Sequence, residues 1–353
     1  MSYNLADKLQ TIQAYDPIEG NYKIRLDANE SYINVNDKLN DKICSSIKDI
    51  CFNRYPDPIA KKVSESFAKL YNISVDNVTA GNGSDELISV ISSCFLEKGD
   101  PVLTLAPDFS MYAFYGKLYE LDVHVLNKND DLEISVDEII NYCNNNNIKA
   151  LIFSNPCNPT SLGINKNDII RLIQSVSCLV ILDEAYMDFW NQSIIEMTDN
   201  YDNLIILKTC SKAIGLASVR LGFAVAGKKI TSMLRTVKSP YNTDSVSQAI
   251  GCTVLSEKEL FKSNTEQIIA NKDNLLKEMK QLAVIYPCIE KVYDSVTNFE
   301  FIKTCKANYI YTELLNKSIA VRCFDGYLRI NTGSEYENTE LVIALKEILK
   351  NIS

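Results

Sequence analysis

Leu179-Val-Ile-Leu-Asp-Glu-Ala-Tyr186 is an apolar run that ends on a carboxylate. A strand apolar on both faces must be covered on both faces, as in a parallel sheet flanked by helices. Outward from it, similar runs recur at Val102-Leu-Thr-Leu105, Val123-His-Val-Leu126, Leu151-Ile-Phe153, Leu204-Ile-Ile-Leu207 and Phe223-Ala-Val-Ala226. Each reads as a buried strand. Between them, Leu87, Ile88, Ile91 and Phe95 fall at helical spacing, as do Ile139, Ile140 and Cys143. This alternation predicts an α/β domain with a mainly parallel sheet, whose ligands bind beyond the carboxyl ends of the strands. Asp183 would therefore stand at a ligand-facing edge.

After about residue 245 the pattern changes. A charged helix is expected from Ser256 towards Leu282, followed by the strand-like Val296-Thr-Asn-Phe-Glu-Phe-Ile302 and a helix near Asn308 to Asn316. Strands near Ala320–Cys323 and Tyr327–Asn331 and a final helix from Asn338 complete a smaller α+β unit. The expected organisation is an N-terminal arm and small-domain segment over 1–45, a large α/β domain over 46–245 and a small domain over 246–353.

Composition narrows the chemistry. Of 353 residues, 46% are hydrophobic and 23% charged, enough to bury a large core. The net charge of −9 disfavours nucleic acid and anionic membranes as partners. No stretch reaches the roughly 18 uninterrupted apolar residues of a membrane span, and Met1–Gln10 does not read as a signal peptide. The eleven cysteines are scattered without a C-x-x-C pair, which points to reduced thiols in a cytoplasmic protein with no zinc site. The one histidine, His124, lies in an alternating run and reads as structural. Proton transfer must then use Lys, Tyr, Asp, Glu, Cys or a cofactor.

Four segments carry that chemistry. In Thr209-Cys-Ser-Lys-Ala-Ile-Gly-Leu-Ala-Ser-Val-Arg-Leu-Gly222, Lys212 falls just beyond a strand end. In the opening run, a carboxylate at the mouth of a buried strand needs a cationic or proton-donating partner. Ser154-Asn-Pro-Cys-Asn-Pro-Thr160 presents Asn158 in a proline-stiffened turn. Ala80-Gly-Asn-Gly-Ser-Asp-Glu86 is a glycine-rich loop opening a helix, where free N–H groups and the helix dipole favour a phosphate.

In this order the four segments resemble those of the pyridoxal-phosphate-dependent aminotransferases of the aspartate-aminotransferase fold (fold-type I), and within them the histidinol-phosphate aminotransferases. Ala14-Tyr-Asp-Pro, Leu26-Asp-Ala-Asn-Glu30, Arg54-Tyr-Pro-Asp57 and Tyr327-Leu-Arg-Ile-Asn-Thr-Gly333 extend the resemblance over nearly the whole chain. It implies a seven-stranded sheet in the large domain, pyridoxal 5'-phosphate as cofactor, and transamination between histidinol phosphate and 2-oxoglutarate in histidine biosynthesis. It also implies a homodimer with active sites at the interface.

The resemblance assigns roles residue by residue. Lys212 would form the Schiff base and shuttle the proton at the substrate Cα. Asp183 would hold the pyridinium proton. Tyr186 and Asn158 would hydrogen-bond the cofactor's phenolic oxygen, and Phe109 would stack on its ring, with Tyr112 as the competing assignment. Gly83, Ser84, Asp85, Ser211 and Arg220 would hold the phosphate, with Thr209 as a further contact and Tyr55 reaching it from the neighbouring subunit. Arg329 would grip an anionic group of the substrate bidentately. Arg322 would supply a second anion site, and Tyr15 and Asn158 would also face the substrate. With seven arginines against 29 lysines, two arginines within eight positions stand out.

Two departures from the family pattern are visible. Ser161-Leu162-Gly163 replaces the usual glycine after Asn-Pro-x-Asn-Pro-Thr, and Asp108 stands where threonine is common. Competing expectations are an aminotransferase for aromatic or other amino acids, a threonine-phosphate decarboxylase-like enzyme, and a regulatory or binding protein on the same fold. The intact lysine, aspartate, asparagine, tyrosine and arginine set argues against the last, as does the lack of a DNA-binding helical segment ahead of the arm.

Overall fold

The computed structural model describes residues 3–10, 12 and 17–352. The strands are β1 (Ile24–Leu26), β2 (Val78–Gly81), β3 (Pro101–Ala106), β4 (Asp122–Asn127), β5 (Ala150–Ser154), β6 (Leu179–Asp183), β7 (Leu204–Thr209), β8 (Gly222–Ala226), β9 (Ile289–Val292), β10 (Phe299–Thr304), β11 (Ile319–Phe324) and β12 (Tyr327–Asn331). The helices are α1 (Asn36–Lys48), α2 (Lys61–Tyr71), α3 (Gly83–Cys94), α4 (Met111–Leu118), α5 (Val136–Asn145), α6 (Lys166–Ser175), α7 (Lys228–Val237), α8 (Ser245–Leu255), α9 (Lys258–Ile285), α10 (Ala307–Asn316) and α11 (Glu335–Lys350).

A seven-stranded sheet runs in the order β2-β8-β7-β6-β5-β3-β4. It is parallel from β4 through β7, and β8 runs antiparallel to both β7 and β2. Its strands alternate between two cores. Leu151, Phe153, Val180, Leu182, Leu204, Ile206, Phe223 and Val225 pack with residues of α1, α2, α5, α6 and α8. Ile152, Ile181, Ile205, Leu207 and Ala224 pack on the opposite face with Leu87, Ile88 and Ile91 of α3 and Leu234 of α7. The strands are apolar throughout because both faces bury side chains. β4 departs from that expectation. It is an edge strand, paired only with β3, and Val125 is 47% exposed. One neighbour and one covered face suffice for so short an apolar run.

A second sheet, β1-β11-β12-β10-β9, has five strands, with β1 parallel to β11 and the other pairs antiparallel. Ile24 and Leu26 join its core with side chains from α9, α10 and α11, whereas Val35, Leu39 and Ile43 join the core of the larger sheet. The segment between Leu26 and Val35 therefore passes from one core to the other. Boundary shifts have local causes. β10 starts at Phe299, since Ser295 and Thr297 turn back to bond its carbonyl. α11 starts at Glu335, behind a capping box formed by Ser334 and Glu337.

Register sets the functional level. Ser154 of β5 pairs with Asp183 of β6, Asp183 with Leu207 of β7, and Thr209 of β7 with Gly222 of β8. The carboxyl ends of β5, β6 and β7 thus form one rim. Because β8 is antiparallel, its first residue meets that rim beside Gly81.

Candidate active site

A cavity of about 690 Å³ opens above this rim and is lined from both sheets. At its base Asp183 is 4% exposed. One carboxylate oxygen accepts from the Tyr112 hydroxyl at 2.8 Å and the other from the Ala185 backbone N–H at 3.0 Å. Burial raises the Asp183 carboxyl to about 6, the two donors pull it back, and nearby Asp108 and Asp85 push it further up. Burial, followed by the Asp183 charge, raises the Tyr112 phenol well above its ordinary range, so it remains a donor.

Lys212 lies in the turn after β7, where its Nζ donates to the Ala28 carbonyl at 3.0 Å and sits 5.8 Å from the Tyr186 ring centre. Burial first, then the Arg329 charge, lowers its amine to about 8, while Glu30 and Asp85 oppose the shift. Such an amine carries a substantial neutral, nucleophilic fraction near neutral pH. The Tyr186 hydroxyl accepts from Asn29 Nδ2 at 2.9 Å. Burial raises that phenol to about 12 against the opposing Arg329 charge and the Asn29 bond.

On the β8 side the cavity meets the start of α3. Ser84 and Asp85 lie in its first turn, where backbone N–H groups lack helical carbonyl partners. Gly222 makes their position possible, since a Cβ there would lie 2.4 Å from the Ser84 nitrogen. Gly83, with φ of +80°, leaves room for Arg220, whose guanidinium would come within 2.8 Å of a Cβ at that position. Arg220 itself adopts φ of +54°, and its guanidinium stands 4.0 Å from Asp85. Thr209 donates from its hydroxyl to Ser211 Oγ at 3.0 Å and accepts from the Ser211 N–H at 3.2 Å. Open helix N–H groups, two hydroxyls and a guanidinium form an anion cradle. Together with a lysine and a buried carboxylate across the cavity, this donor set fits pyridoxal phosphate: an anion seat, a partner for a pyridinium proton, and an amine for an aldehyde.

The smaller sheet closes the other side. Arg329, 9% exposed, donates from Nη1 to Asn158 Oδ1 at 2.6 Å and from Nη2 to the Asp27 carbonyl at 2.6 Å. Arg322 stands directly opposite Arg329 in the β11–β12 register, and both line the cavity. Two guanidinium groups on one wall of the cavity offer charged donors to an anion.

The structure thus brings Lys212, Asp183, Tyr186 and Asn158 to one cavity, together with Ser84, Asp85, Thr209, Ser211 and Arg220. Phe109, Arg322 and Arg329 line it too. Gly83 does not line it and acts as the spacer behind Arg220. Tyr55 lies outside, 81% exposed and stacked on Tyr241 at 4.6 Å between ring centres. Tyr15 lies outside the described residues. Tyr112, weighed as a ring that stacks, has its hydroxyl on Asp183 and its ring edge-on to Phe109 at 5.5 Å. The segment 27–30 does more than its sequence indicated. Its backbone accepts from Lys212, Arg329 and Asn331, and Asn29 holds Tyr186. Its recurrence as a family motif was the available signal, but a motif does not show which backbone carbonyls it lends. Among the described residues no helix is long and apolar enough to cross a membrane, and no cluster of three or more His, Cys, Asp or Glu could hold a metal.

Residues 23–345 match the family of class I and II aminotransferases. The chain is 39% identical over 343 residues to the histidinol-phosphate aminotransferase of Clostridium novyi (strain NT), covering 96% of this chain and 95% of that protein. It is 37% identical over 347 residues to the histidinol-phosphate aminotransferase of Clostridium kluyveri (strain ATCC 8527), covering 97% of each. Its fold is similar to the crystal structure of histidinol-phosphate aminotransferase from Sinorhizobium meliloti in complex with pyridoxal-5'-phosphate, with a TM-score of 0.89 at 21% identity, covering 100% of this chain and 99% of that one.

Proposed function

Because the chain belongs to the class I and II aminotransferases, we propose that it moves an amino group from histidinol phosphate to 2-oxoglutarate, using pyridoxal 5'-phosphate. The observation that carries the choice of donor is the pair Arg322 and Arg329, directly opposite on β11 and β12 at the cavity wall. A phosphate on the amino donor, or a carboxylate on the oxo acid, can accept charged hydrogen bonds from these guanidinium groups when it binds at that wall.

When bound, pyridoxal phosphate supplies an electron-withdrawing ring that accepts the electron pair left as the donor loses its Cα proton. The chain's residues do the rest. The α3 N–H groups of Ser84 and Asp85, with Thr209, Ser211 and Arg220, hold the cofactor phosphate. Asp183, kept ionised by Tyr112 and the Ala185 N–H, holds the proton on the pyridine nitrogen. Tyr186 and Asn158 hold the phenolic oxygen, and Phe109 covers the ring. Lys212 Nζ, whose amine is lowered to about 8, anchors the cofactor and carries the proton to and from the donor's Cα.

The working unit in this reading is a cytoplasmic homodimer. The exposed Tyr55–Tyr241 stack supports it, since Tyr55 lies outside its own cavity with its ring open to a second subunit. The units in this reading are the arm and small-domain segment over 1–45, the large domain over 46–245 and the small domain over 246–353, with Val35, Leu39 and Ile43 of the first and Val254 and Leu255 of the last lending side chains to the large-domain core.

The test is a donor screen with 2-oxoglutarate. Glutamate should form preferentially from histidinol phosphate, ahead of aromatic amino acids. Arg322→Met should raise KM for histidinol phosphate about tenfold or more through the lost charged hydrogen bond. CO2 release from threonine phosphate, or a preference for phenylalanine or tyrosine, would overturn the reading.

A further inference from the structure

Asp108 has no role in the assignments above, yet it occupies a crossing point. It lies in the turn between β3 and α4, directly before Phe109, on the wall of the cavity. One oxygen, Oδ1, accepts from the Phe109 N–H at 2.7 Å and from the Ser154 hydroxyl. Its other oxygen, Oδ2, accepts from the Ser154 N–H at 3.2 Å. The carboxylate therefore grips both donors of Ser154, the last residue of β5. Ser154 Oγ in turn accepts from the Asn158 N–H at 3.1 Å, and the Asn158 side chain accepts from Arg329. Behind Asp108, Lys128 Nζ donates to the Pro107 carbonyl and to Cys157 Sγ, each at 2.9 Å. Its charge opposes the burial that raises the Asp108 carboxyl.

We propose that Asp108 is a positioning residue that fixes Asn158 through Ser154, tying the segment that bears Phe109 to the segment that bears the phenolic-oxygen donor. A threonine there offers one hydroxyl. A carboxylate offers two oxygens and so holds the hydroxyl and the N–H of Ser154 together. Fixing the Ser154 hydroxyl as a donor to Asp108 leaves its lone pairs for the Asn158 backbone N–H, which fixes the backbone from which the Asn158 side chain reaches Arg329 and the cavity. Catalytic geometry tolerates little error in such a link. This inference rests on the pyridoxal phosphate reading.

The test uses the holoenzyme and reads the pKa of its visible absorbance band together with kcat and KM. Ser154→Ala keeps the Asp108 charge and breaks the link. A weakened Asn158 bond to the phenolic oxygen should raise the band's pKa by about half a unit or more. It should also lower kcat about tenfold with KM changed less than about twofold. Asp108→Ala should lower kcat similarly, and the double variant should be little worse than the weaker single one, because both remove one link. Asp108→Asn keeps one acceptor but turns an NH2 donor towards another of these donors, so it should recover only part of the lost kcat. Multiplying effects, a Ser154→Ala band pKa equal to wild type, or wild-type kcat in Asp108→Asn would overturn the positioning role. A wild-type protein that takes up no coloured cofactor would overturn the cofactor reading, and this inference with it.

Discussion

The Tyr112 hydroxyl lies 2.8 Å from Oδ2 of Asp183 and donates to it at the floor of the cavity. That bond counters the burial that raises Asp183 to about 6. A carboxylate with a raised pKa is ionised above that value and lost as a charged partner below it. Tyr112→Phe should therefore move the acid limb of cofactor binding to higher pH, by about half a unit or more. Asp183→Asn should cost about a hundredfold or more in turnover, or about 2.7 kcal/mol of barrier. Steady-state rates and cofactor titrations across pH 5–8 check both. An unmoved acid limb in Tyr112→Phe would show that the bond does not tune Asp183.

Lys212 should be the residue to which borohydride fixes the cofactor, as read by peptide mapping. Its amine is lowered to about 8 by burial and Arg329, and only the neutral amine attacks an aldehyde. The rate at which the cofactor-free protein takes up pyridoxal phosphate should rise about tenfold per pH unit below that value and level off above it. Label on a different lysine would end the assignment.

Tyr55→Phe should weaken cofactor affinity by about 1.5–3 kcal/mol if its hydroxyl bonds the partner's phosphate. Mixing it with Lys212→Ala gives heterodimers with one complete site, since the lysine-less subunit lends its intact tyrosine to the live lysine. Activity at limiting cofactor should exceed what the parents predict once subunit exchange is established. Absence of recovery would place Tyr55 outside the partner's site.

Glu300 is fully buried in β10, and burial holds its carboxyl well above the ordinary range despite the opposing Lys272 charge. A carboxyl with a raised folded pKa keeps its proton where the unfolded chain has lost it. Stability therefore falls as pH rises from the unfolded value towards the folded one. Glu300→Gln removes that penalty. It should raise Tm by about 2 °C or more at pH 8 and by less at pH 5. An equal shift at both pH values would show that the carboxyl is already ionised in the fold.

The sequence by itself determined the large sheet and the candidate chemistry. Doubly apolar strands such as Leu179–Asp183 can be buried only between two layers of helices, and their ends carry the functional side chains. Local spacing therefore places Asp183, Asn158 and Lys212 on one rim without any knowledge of distant contacts. What lies across that rim was decided by tertiary structure alone. That Tyr112 serves Asp183, Asn29 serves Tyr186 and the Ala28 carbonyl meets Lys212 depends on segments separated by 71, 157 and 184 positions. The first is set by how α4 packs on the large sheet and the other two by how the segment between β1 and α1 crosses the cavity, and no local period records either. The sequence marked the strand end on which Ser154 stands. Only the packed fold shows Asp108 gripping it.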